Sequence, residues 1–158
     1  MRKIIAILCL FWIAVFSFGF SGQWKPGDSF ATPDVKLLLP MPMLNVEGAP
    51  VPVRLGTYTW SERGRGVAVD AVDPPSLVES LEPVNVRPNA VLNVSFTDAP
   101  EEIQVGIWKE GGVDFKKVSA GQVKLPSDEG EYVYVLVASW PQGDASYAFP
   151  IRVSRLLE

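Results

Sequence analysis

The run Asp128-Glu129-Gly130-Glu131-Tyr132-Val133-Tyr134 constrains this chain more than any other stretch, because a turn signal runs directly into a strand signal. Asp and Gly interrupt regular structure, and the aromatic and β-branched residues beyond them, as far as Ser139, alternate as a strand does. Pro141-Gln142-Gly143 supplies a hairpin turn into a second strand from Ala145 to Val153. Pro150 inside that strand removes a ladder donor and predicts a sheet edge. Upstream lie similar apolar runs separated by Pro, Gly and Asp: Val84 with Val86, Leu92 to Phe96, Ile103 to Trp108, Phe115 to Val118, and Val123 with Leu125. Short strands at this spacing predict an all-β antiparallel sandwich.

The pattern Asp-x-Gly-x-Tyr-x-Tyr resembles the tyrosine corner that opens strand F of immunoglobulin-like sandwiches. The resemblance implies that Tyr132 is buried, with its hydroxyl bonded to backbone between Leu125 and Gly130. Tyr134 then stands where true immunoglobulin domains carry their second cysteine. On this reading residues 53–158 form an immunoglobulin-like domain with an extra N-terminal β-hairpin. Its arms are Val53 to Trp60 and Val67 to Asp70, joined by the polar loop Ser61 to Gly66. Asp73-Pro74-Pro75-Ser76-Leu77-Val78 is the one helix candidate, a single turn with Pro at its first position.

Before the domain, Met1-Arg2-Lys3 and the apolar run Ile4 to Phe16, continuing to Phe20, match an export signal, so residues 1–22 are read as a signal peptide or an uncleaved membrane anchor. Either way Arg2 and Lys3 stay inside and the rest of the chain is delivered outside, secreted or held on the outer face of the cytoplasmic membrane. Residues 23–52 carry Pro26, Pro33, Pro40, Pro42, Pro50 and Pro52 and are read as an extended strap or tether. The apolar cluster Leu37-Leu38-Leu39 favours a strap lying across the domain.

Composition narrows the chemistry. The single cysteine, Cys9, falls in the export signal, so the exported part folds without a disulfide. Loss of Arg2 and Lys3 leaves twelve cations against eighteen carboxylates, a net charge of −6, which disfavours nucleic acid or an anionic lipid surface as partner. With no histidine and no exported cysteine, the usual nucleophile triads and zinc sites are excluded, and no cofactor or metal is expected. The loop acids, of which Asp98, Glu101 and Glu102 are the densest group, carry no diagnostic ligand spacing. Gly64-Arg65-Gly66 lacks the lysine and the glycine spacing of a phosphate loop.

What remains are surfaces. If Tyr132, Tyr134 and Leu136 point inward, Val133, Val135 and Val137 line the opposite face of their strand, beside Trp108. An apolar outer face is either covered or adhesive. The candidate contact residues are therefore Trp108, Val133, Val135 and Val137, together with Tyr58, Trp60, Arg63 and Arg65 of the hairpin. The expected function is a non-enzymatic module that binds a protein at the cell envelope. The alternative is a carbohydrate-binding module stacking cell-wall glycan on two of Trp24, Trp60, Trp108 and Trp140.

Gly56-Thr57-Tyr58-Thr59-Trp60, Pro74-Pro75-Ser76-Leu77 and Ser146-Tyr147-Ala148-Phe149 are similar to segments of uncharacterised exported proteins of bacilli with a C-terminal immunoglobulin-like domain. The resemblance covers Val53 to Val153. It implies an exported envelope protein and brings no catalytic residue with it. Relatives with a cysteine pair around the Trp60 hairpin have no counterpart here, where Thr59 and Val67 or Ala68 stand at those positions.

Overall fold

The computed structural model describes residues 38–155; the expected export signal and the strap up to residue 37 lie outside them. In chain order the elements are β1 (Met43–Val46), β2 (Ala49–Pro50), β3 (Arg54–Glu62), β4 (Arg65–Val69), α1 (Pro74–Val78), β5 (Val84–Val86) and β6 (Val91–Ser95). They continue with β7 (Glu102–Lys109), β8 (Gly112–Val113), β9 (Lys116–Lys117), β10 (Gln122–Lys124), β11 (Gly130–Trp140) and β12 (Gly143–Val153). One sheet has the order β10-β6-β1-β2 and the other β4-β3-β12-β11-β7-β8. The two face each other as an antiparallel β-sandwich, the fold that the spacing of the apolar runs predicts.

Alternation along the strands builds the core. Leu44 and Val46 of β1 and Leu92 and Val94 of β6 meet Tyr134, Leu136 and Ala138 of β11 and Tyr147, Phe149 and Ile151 of β12. Fully burying side chains such as Leu92, Phe149 and Ile151 is worth about 1.5–3 kcal/mol each. Tyr134 and Phe149 stack nearly parallel, 5.3 Å between centroids. Tyr132 donates its hydroxyl to the carbonyl of Asp128 at 2.9 Å, the bond that the resemblance implies, but the ring is half-buried at the rim of the core rather than buried. β11 is central, paired with β12 on one side and β7 on the other.

Two expectations need correction. The strap is not a cover from Met43 onward: β1 is a core strand paired with β6, and Val51 is buried with it, so the sandwich begins ahead of the expected boundary at residue 53. Nor is the strand with Pro150 an edge. β3 pairs with β12 up to Ala148 and β5 pairs with it, in parallel, from Ile151. Pro150 sits in the gap between these two partners, where no ladder donor is needed on that side.

Candidate functional site

The outer face of the larger sheet is covered by a segment other than the expected strap. Asp73 caps α1, its carboxylate accepting from the Ser76 backbone amide at 3.1 Å and the Ser76 hydroxyl at 3.0 Å. Those bonds hold the Asp73 carboxyl below its ordinary pKa, the backbone amide contributing most. Pro74 and Pro75 pre-set the helical φ where no donor is needed. The single turn packs on β3, β11 and β12. Val78 is 4% exposed, Val135 6% and Ala148 2%, although none of the three belongs to the core between the sheets.

The rest of that stripe is partly closed as well. Val133, Val137 and Trp108 are half-buried. Gly106, paired with Val135, lies under the β8 segment: a Cβ there would collide with the Val113 side chain and stand 2.7 Å from the Asp114 carbonyl. β7 therefore needs a glycine at this point. The valines form a small second core, and Val135 in particular offers no open contact surface.

The hairpin is different. Glu62 pairs with Arg65, so the connection is the two-residue turn Arg63-Gly64 rather than a six-residue loop. Both residues have positive φ, 53° and 77°, the condition for the hairpin turn whose twist matches its strands. In such a turn the flanking pair exchanges hydrogen bonds, and pairs then alternate along the ladder. Val67 and Val69 thus point their backbone groups at Trp60 and Tyr58, and Gly66 and Ala68 point theirs outward from the last strand of the sheet.

Side chains opposite each other share a face. Trp60 is buried in the core and meets Trp140 edge-on at 5.6 Å. Its partner Val67 is 37% exposed, and Val69, opposite half-buried Tyr58, is 38% exposed. The apolar inner face thus continues through Trp60 and Tyr58 onto β4 and runs out into solvent. A shallow depression of about 410 Å³ lies beside the strand, lined by Thr59, Trp60, Val67, Ala68 and Gln142. Arg63 lies within 3.7 Å of Glu62, both exposed, and Arg65 forms no ion pair among the described residues.

Among the described residues the tryptophans do not build a flat platform. Trp60 and Trp140 are buried with planes at 65°, and the Trp140 indole donates to the carbonyl of Asp98 at 3.0 Å. Trp24 lies outside the described residues, and among those described only Trp108 is partly open. Glu102, from the densest acidic group, is held by Lys117 at 2.7 Å and Gln104 at 2.6 Å; the Lys117 bond is the larger cause of its lowered pKa.

Sequence reasoning found Tyr58, Trp60, Arg63 and Arg65 but passed over Val67 and Ala68, whose edge position is the distinctive feature. The available signal was Val67-Ala68-Val69 facing Trp60-Thr59-Tyr58 across Arg-Gly. No protein-family model matches the chain, and no curated protein matches it.

Proposed function

We propose that the chain is an exported, non-enzymatic interaction module at the cell envelope, which takes an extended segment of a protein partner onto the free edge of β4. The observation that carries this reading is an outermost strand whose five residues are all exposed, with valines on one face and outward backbone groups at Gly66 and Ala68. Sheet edges are ordinarily blunted by charge, proline or a covering segment, because they template strand addition. Here the charges are Arg65 in the strand, its cross-strand partner Glu62, and Arg63 and Asp70 beside it. Strand addition draws affinity from main-chain hydrogen bonds and selectivity from alternate side-chain pockets, and the depression beside Trp60 and Val67 offers one such pocket.

The test is Ala68→Pro in the full chain. It removes an outward donor and leaves the β3–β4 ladder bonds of Val67 and Val69 in place. A partner recovered with the wild-type chain is expected to be lost with this variant, whose melting profile stays near wild type, and to protect the Gly66 and Ala68 amides in the complex. A partner that binds the folded variant with undiminished affinity rules out strand addition at β4.

A further inference from the structure

At the side of the sandwich away from the hairpin, the two sheets part. A cleft of about 570 Å³ opens between β7 with β9 on one sheet and β10 with the adjoining Leu125-Pro126 on the other. That volume falls in the range of about 300–1,000 Å³ typical of small-molecule sites. Its apolar walls include Val105, Ile107, Val118, Val123 and Leu125.

Two independent features distinguish this cleft from a gap in packing. The first is charge. All four lysines among the described residues, Lys109, Lys116, Lys117 and Lys124, line it, against one carboxylate, Asp114, on a chain of net charge −4. Only Lys117 is paired, with Glu102; the other three form no ion pair among the described residues. The second is Tyr134, which also lines the cleft. It is 3% exposed, yet its hydroxyl makes no hydrogen bond among the described residues and is not fully sealed from solvent. With no partner among the described residues, this hydroxyl is available to donate to an acceptor bound in the cleft. Burial also pushes the phenol well above its usual range, so it remains a donor.

We infer that this cleft binds a free anionic amphiphile, a single alkyl chain ending in a carboxylate, with the chain on the valine and leucine walls and the carboxylate among the lysines. Apolar walls supply affinity in proportion to buried area, and the charged rim selects the sign of the headgroup. A neutral ligand leaves three lysines unused, and a cationic one meets them unfavourably.

The test is calorimetric titration of the full chain with decanoate, decylammonium, decanol and an acidic decapeptide, each below its aggregation concentration. Saturable single-site binding of decanoate is expected, with decanol and decylammonium weaker. Lys116→Gln with Lys124→Gln, and separately Tyr134→Phe, should each weaken decanoate about tenfold, the scale of one lost hydrogen bond to a charged group. Both variants should melt near wild type, because one removes two exposed charges and the other a hydroxyl, none of them partnered among the described residues. The inference is overturned if decylammonium binds as tightly as decanoate, or if the folded variants retain full affinity, as binding to the N-terminal apolar run would produce. Absence of saturable decanoate binding, or selection of the acidic peptide in its place, also overturns it.

Discussion

The valine stripe of β11 and the exposed strand β4 carry the same local signal, alternate β-branched residues beyond what one inner face requires, and end in opposite environments. The chain leaving β4 must cross the outer side of the larger sheet to reach β5, and α1 lies on that crossing. Val135 and Ala148 are buried on the face that α1 packs against, while Val67 and Val69 have no further strand beyond them among the described residues. The difference teaches that an apolar face becomes core or contact surface according to whether a connecting segment returns over it. Five residues with an aspartate cap and two prolines suffice for the return.

The contrast breaks most visibly at Val135. Val135→Asp places a carboxylate in a buried apolar site and should cost on the order of 4 kcal/mol or prevent folding, as read from denaturant melts. A melt close to wild type would mean that α1 does not close the face. From the covering side, Val78→Ala truncates the buried side chain of α1 and should cost about 2 kcal/mol. At the corner, Tyr132→Phe removes one hydrogen bond and should cost about 1 kcal/mol, so an unchanged midpoint would mean that the bond to Asp128 adds nothing to stability. Across the molecule, Ala68→Asp on the exposed edge should stay within about 0.5 kcal/mol.

The smallest effect is the pH dependence of the cap. The folded Asp73 carboxyl titrates below its ordinary value of 3.8, chiefly because the Ser76 amide donates to the ionised form. Its stabilisation is therefore complete above that value and disappears as pH falls through the lower, folded one. The stability gap between wild type and Asp73→Ala should accordingly be steady at neutral pH and narrow below about pH 4. A gap that widens in acid would contradict the capping role.

Much of the fold was legible because strand alternation and turn residues act locally. The corner, the order of the later strands and the helical turn at Pro74 can all be read from short windows. Long-range pairing was not legible. Nothing local in Met43–Val46 says that it pairs with β6, some fifty residues away, so it read as part of a strap. Pro150 read as an edge marker because a single strand does not reveal that two different partners divide its flank. Trp60 read as a contact residue because aromatic character alone does not separate a buried anchor from an exposed one. The lysines lie at 109, 116, 117 and 124, and their convergence appears only when β9 folds back beside β7 and β10 faces them.

Residue-resolved hydrogen exchange along the hairpin of the free full chain tests the open edge most directly. The register assigns outward amides to Gly66 and Ala68 and ladder amides to Val67 and Val69. Fast exchange at 66 and 68 with protection at 67 and 69 is the predicted result. Equal protection at all four would show that another segment already occupies the edge, and that would contradict β4 as a free docking strand.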